Sequence, residues 1–186
     1  MKRKIKVTYR KVRYIVYKQT ILNPIDHIWT FIGSFLGIAS IGLMTSYLNK
    51  FSYTENIFLI GSFGASAVLI YGATNSPLAQ PRNLIGGHLL SALIGVTIAK
   101  HISSPDLLWL ASALSVSISI VIMQITKTMH PPGGATALIA NIGSEKIRNI
   151  GYFYVVSPVL SGVLILLIIA LLINNIPNDR DYPYKN

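Results

Sequence analysis

The chain has 186 residues, of which 52% are apolar and only 12% charged, and it contains no cysteine. A soluble domain carries about 25% charged residues, so this composition argues against a water-soluble enzyme and against a disordered tail. The missing cysteine excludes disulfides, thiolate chemistry and Cys-ligated metal, and the net charge of +10 asks where the positive charges sit.

Eight of the sixteen basic residues fall within residues 1–18, without a single acid. With Tyr9, Tyr14 and Tyr17 interleaved, this arm has the look of a nucleic-acid binder. An apolar stretch of membrane length follows at once, however, and a cytoplasmic flank that touches anionic lipid accounts for the arm better. The reading is therefore a basic cytoplasmic arm over 1–26, with no nucleic-acid partner.

Between His27 and Asn178 only nine residues are charged, and they divide the chain into six apolar segments, at 28–49, 56–74, 83–99, 107–126, 130–143 and 151–173. A bilayer core of about 30 Å takes roughly 20 helical residues, and a charge at mid-membrane costs about 2.5–3.5 kcal/mol. Charges placed only at the breaks avoid that cost. The first segment is too long for a signal h-region, and more spans follow it. The expectation is an all-α, polytopic bundle in the membrane of a bacterial or archaeal cell, with the N-terminus cytoplasmic. Six crossings, or four crossings with two re-entrant pieces, both keep the two ends of the chain on one side.

Small residues recur at every fourth position: Gly33 and Gly37; Gly87, Ser91, Gly95 and Ala99; Ala111, Ser115 and Ser119. In lipid such stripes let helix backbones approach, so they predict packing seams and a self-association surface.

Segments two and five are interrupted. Gly64-Ala65-Ser66-Ala67-Val68-Leu69 aligns with Gly134-Ala135-Thr136-Ala137-Leu138-Ile139, which predicts two three-segment repeats, 27–101 and 105–173, the second inverted, followed by a polar tail over 174–186. Paired Gly/Pro-broken segments in equivalent places point to a transporter's binding site. Broken backbone survives at membrane depth only where protein or a water-filled cavity covers it, and free amides at a helix N-terminus attract an anion. In His130-Pro131-Pro132-Gly133-Gly134, Pro132 would start a helix and the glycines would admit a ligand, with Ala135 and the Thr136 hydroxyl in the first turn.

Met129-His130-Pro131-Pro132-Gly133-Gly134-Ala135-Thr136-Ala137-Leu138 resembles the signature of the HPP family of integral membrane proteins. Gly61 to Leu69, Ser76 to Asn83 and Gly86-Gly87-His88 look like that family's other blocks, and the resemblance covers roughly residues 25–173. It implies four transmembrane helices, fewer than the six segments. Plastid and cyanobacterial members are associated with nitrite transport, which is what the resemblance implies here. Some bacterial members append paired CBS domains, for which this length leaves no room.

Arg82, beside Gln80 and Asn83, could draw an anion inward or serve as a positive-inside anchor. His88 is an ionisable group inside a span, and His130 opens segment five; either could switch with a proton. His27 and His101 sit at span ends. Trp29, Trp109, Tyr47, Tyr53, Tyr152 and Tyr154 read as an interfacial belt. No metal-ligand spacing, catalytic triad or acid pair stands out, so neither an enzyme nor a cofactor is expected. The sequence thus predicts transport of a small inorganic anion, nitrite being what the resemblance implies, by a homo-oligomer in the lipid bilayer. The candidate binding residues are Gly64, Ala65, Ser66, Arg82, Asn83, His88, His130, Pro132, Gly133, Gly134, Ala135 and Thr136. A passive anion channel and a non-transporting structural module are the alternatives.

Overall fold

The computed structural model describes residues 24–52 and 61–184, with side chains through residue 44 in the first stretch. The basic arm to residue 23, the Tyr47 side chain and all of Tyr53 from the expected belt, and the last two residues lie outside it. The described residues form helices without strands. These are α1 (Pro24–Ser52), α2 (Gly61–Gly72), α3 (Pro81–His101), α4 (Leu108–Ile125), α5 (Pro131–Ile142), the short α6 (Glu145–Asn149) and α7 (Ser161–Ile173).

Four stretches are long and apolar enough to cross a bilayer: Pro24–Met44, Pro81–His101, Pro105–Ile125 and Val155–Ile173. The two interrupted segments, α2 and α5, are helices of 12 residues each, about 18 Å at 1.5 Å per residue. Over the described residues both are too short to span alone. Segment six holds a break that its apolar run does not announce. Pro158 has no N–H to give, Ser157 before it is extended, and the chain passes through a widened turn over Val155–Leu160 before α7.

The hydrogen bonds fix the direction of each element. Thr30, early in α1, donates to the Tyr71 carbonyl at the end of α2 (3.0 Å), so these two run antiparallel. Arg82, at the start of α3, donates to the Thr126 carbonyl just past the end of α4 (2.9 Å). Asn174, after α7, donates to the Ile70 carbonyl near the end of α2 (2.8 Å). One end of the bundle therefore gathers Pro24, the loop 73–80, the link 126–130 and the tail 174–184. The other gathers Lys100, Ser104 and Arg148, which line a common cavity.

Most of the small-residue stripes lie inside this bundle. A Cβ at Gly95 would stand 2.5 Å from the Ala137 carbonyl oxygen, and one at Gly33 2.7 Å from the Tyr71 ring. A Cβ at Gly162 would run into the ring of Phe63. Backbones meet there because no side chain intervenes. Large apolar side chains such as Phe31, Leu43, Trp109, Ile125 and Leu172 face outward, as the lipid-facing surface of a bundle requires. Tyr152 is exposed, but Tyr154 is fully buried and donates to the Thr136 carbonyl (3.1 Å), so it is no belt residue.

Candidate functional site: a buried histidine pair

His88 lies seven residues into α3, about 10 Å along it. The close approach of α5 to α3 brings His130 opposite. A Cβ at Gly87 would touch the His130 Cβ at 2.5 Å, so only glycine allows this approach. The two rings face each other with centroids 4.9 Å apart and planes tilted by 56°. Phe63 of α2 packs against His88 at 5.9 Å between centroids. Both histidines are wholly shut off from solvent.

Ser66 of α2 sits between the rings. Its Oγ is 2.7 Å from His88 Nε2 and 3.0 Å from His130 Nε2. It is also 2.9 Å from the Ser62 carbonyl, a second acceptor for its single hydrogen. On the other side of His88, Nδ1 lies 2.7 Å from Thr136 Oγ1. His130 Nδ1 lies 2.8 Å from the Leu78 carbonyl oxygen, which can only accept. His130 therefore carries a hydrogen on Nδ1, and when neutral it presents a lone pair at Nε2. Five polar groups from four parts of the chain are joined directly.

The acceptor loop is itself held. Ser76 caps the turn Pro77–Ala79 by accepting from the Leu78 N–H (3.3 Å), and Gln80 donates to the Thr74 and Ser76 carbonyls (2.9 and 2.8 Å). The C-terminal tail closes over the same loop: Tyr182 donates to the Ala79 carbonyl (2.7 Å), and the Tyr184 N–H to Gln80 Oε1 (2.8 Å). Burial pushes the Tyr182 phenol above its ordinary range. Farther along, Arg180 grips Asp26 Oδ1 at 2.8 Å and the Asp26 carbonyl at 2.6 Å.

The comparisons fall on the same residues. The family model for the HPP transmembrane region matches residues 19–183. This chain belongs to the HPP family. Two proteins of Dictyostelium discoideum, each named simply as a transmembrane protein, are 47% identical to it over 156 residues. That stretch is 83% of this chain and 54% and 49% of theirs, so the chain spans about half the length of these relatives. No solved structure matches. The chain is an integral membrane protein of all-α fold, and its family signature supplies His130 and Thr136 to the buried cluster.

Of the residues singled out in the sequence of this HPP protein, Ser66, His88, His130 and Thr136 come together in that cluster. Pro132 and Gly133 are buried beside it. The Thr136 hydroxyl is 3.3 Å from the Pro132 carbonyl, and a Cβ at Gly133 would meet the Gly87 carbonyl oxygen at 2.7 Å. The amide cradle expected at the start of α5 is not formed. Pro131 and Pro132 have no N–H, and the Gly133 N–H donates to the His130 carbonyl (2.8 Å). Gly134 is buried with room toward Val116, and Ala135 is half-buried.

Gly64 and Ala65 are exposed, and Gly64 lines an apolar groove with Phe31, Phe35 and Val68, away from Ser66. Helical geometry requires this, because Gly64 lies two residues, or about 200°, around α2 from Ser66. Arg82 and Asn83 stay at the bundle end, where they donate to the Thr126 and Met129 carbonyls (2.9 and 2.7 Å) and fix the link that leads into His130. Leu78, Ser62 and Tyr154 were missed. The first two act through backbone carbonyls, which carry no side-chain signal.

Proposed function

We propose that this HPP protein moves a small inorganic anion, nitrite- or nitrate-like, across the bilayer, with no chemical conversion. The observation that carries this reading is the facing pair of buried imidazoles. An ionisable group inside a membrane bundle is expensive and marks a pathway for ions or protons by default. Two in contact, held by a serine from a broken helix, are more than packing needs.

The choice of an anion finds support at the far end of the bundle. There a cavity of about 390 Å³ is lined by Lys100 and Arg148 together with Ser103, Ser104 and Asn141. Neither cation has a carboxylate partner among the described residues. Lys100 lies over the Tyr152 ring at 4.7 Å, and Arg148 donates to the Gly143 carbonyl at 3.2 Å. Such a vestibule concentrates small anions before they enter. The alternating directions of α1, α2 and α3, then α4, α5 and α7, support reading the halves as inverted copies. On this reading the tight α3–α5 contact is a closed state, and a homo-oligomer completes the transporting unit.

A second reading, a structural membrane module without transport, draws on the same α3–α5 contact, which side chains and backbone fill. Flux separates the two. Purified protein in liposomes should take up labelled nitrite faster than protein-free vesicles, and Lys100→Gln combined with Arg148→Gln should slow that uptake. Uptake equal to that of protein-free vesicles would leave the structural reading.

A further inference from the structure

The hydrogen count in the buried cluster has a consequence of its own. With both rings neutral, the fixed hydrogen on His130 Nδ1 leaves Nε2 needing a donor, and Ser66 is the hydroxyl in reach, at 3.0 Å. Ser66 Oγ then accepts from His88 Nε2–H at 2.7 Å, and His88 Nδ1 accepts from the Thr136 hydroxyl at 2.7 Å. Four hydrogens fill four bonds in one direction, from Thr136 to Leu78. If His88 instead carried its hydrogen on Nδ1, both Nε2 atoms would compete for the single Ser66 hydrogen, and one buried nitrogen would go unpaired. An unpaired buried polar atom loses its solvation without return, so the first arrangement holds in the neutral state.

One more proton also fits without a loose end. When His88 Nδ1 takes up a proton, the Thr136 hydroxyl turns to the Pro132 carbonyl at 3.3 Å and accepts from Nδ1–H. The His88 Nε2 hydrogen can then pass to Ser66 Oγ as the Ser66 hydrogen passes to His130 Nε2. His88 is left neutral with its hydrogen on Nδ1. His130 holds the charge, with Nδ1–H on Leu78 and Nε2–H on Ser66, and Ser66 donates back to His88. Five hydrogens enter and five remain, the single positive charge is conserved, and the three links from Thr136 to His130 have reversed while the bond to Leu78 keeps its direction.

We propose that His88, Ser66 and His130 form a store for one proton, with the Ser66 hydroxyl as the relay between the two rings. The inference rests on the transport reading for its use, which is to carry a proton with the anion. It rests on geometry for its existence. His130 and, through the Thr136 carbonyl, Tyr154 are the titratable groups that meet His88; Ser66 and Phe63 face it from α2 and Thr136 from α5. Among the described residues no carboxylate, lysine or arginine is bonded to the cluster. A second positive charge would therefore stand uncompensated within 4.9 Å of the first, which limits the store to one.

The test is nitrogen NMR of the full chain with labelled histidine in lipid nanodiscs, the four ring systems being assigned by single His→Gln variants. Neutral His88 should carry its hydrogen on Nε2 and neutral His130 on Nδ1. Acidification should add one proton to the pair, never two. In Ser66→Ala, His88 should shift to the Nδ1–H form and the two rings should lose their mutual dependence. Unchanged His27 and His101 signals show that this variant is folded. Neutral His88 with hydrogen on Nδ1 in the native chain, or two protons taken up independently, would overturn the relay. Absence of nitrite flux alongside the expected spectra would overturn the transport reading and leave the relay standing.

Discussion

His88 and His130 lie in different halves of the chain, yet their ring centroids are 4.9 Å apart and both are fully buried. The contact exists because Gly87 and Gly133 strip side chains from the α3–α5 seam: a Cβ on either would strike the partner segment at 2.5 or 2.7 Å. Gly87, placed by its stripe in a packing seam, and Gly133, whose motif signals ligand access, serve here alike to press two backbones together. The imidazoles are a product of that pressing.

Adjacent glycines in α5 should therefore respond in opposite ways. In Gly133→Ala the new methyl meets the Gly87 carbonyl and Ser91 Oγ at 2.7 and 2.9 Å, and backbone cannot give way cheaply. We expect a loss of about 2 kcal/mol. In Gly134→Ala the nearest atom is at 3.8 Å, and the better helix former should raise stability by up to about 1 kcal/mol. Thermal unfolding in one detergent gives both values.

Thr136→Val keeps the shape of the side chain and removes the hydroxyl that faces His88 Nδ1 at 2.7 Å. A buried ring nitrogen loses its partner, for a cost of about 1–3 kcal/mol. The free energy of unfolding should fall by that amount, and Ser66→Ala with Thr136→Val should cost less than the sum of the two single changes, because both act on one hydrogen-bonded chain.

The tail is tied down by a nearly buried ion pair. Arg180 and Asp26 side chains are 8% and 16% exposed, with Nε and Oδ1 2.8 Å apart. Arg180→Met strands the Asp26 carboxylate and should cost about 3 kcal/mol, while adding Asp26→Asn should recover much of that. Protease cleavage after residue 174, followed over time, should accelerate in the single variant and slow again in the double.

Tyr182 should leave its mark in alkali. Its phenol is held protonated by burial, so its folded value is raised above its unfolded value of about 10. Above that pH the unfolded chain binds fewer protons than the folded one, and stability falls as pH rises. Its contribution is complete below pH about 10 and disappears on going higher. Tyr182→Phe should lose about 1 kcal/mol at neutral pH, with the bond to Ala79, and show a shallower decline above pH about 10. Chemical denaturation at a series of pH values measures both.

The membrane class, the spans and the two interrupted segments were legible because charge placement and Gly/Pro breaks are written in side chains. His88, His130, Ser66 and Thr136 could be named for the same reason. Their assembly could not, since it turns on which face of α2 looks inward: Ser66 does, and Gly64 does not. The end of the relay at the Leu78 carbonyl left no trace in residue type. The long-range tie between Asp26 and Arg180 was hidden as well, because each looks like an ordinary charge flanking an apolar run. The amide cradle failed on simple chemistry, two prolines having no hydrogens to offer.

The account turns on whether an anion and a proton move together through this bundle. Nitrite uptake into proteoliposomes, with the voltage clamped to zero and a proton gradient imposed from outside to inside, tests that most directly. Protein-free vesicles correct for nitrous acid that leaks through lipid. The native chain should take up nitrite faster with the gradient than without it, and Ser66→Ala should lose that acceleration. Uptake that is the same with and without the proton gradient, and that changes only when the clamped voltage is moved from zero, would make the protein a passive channel and contradict the coupling.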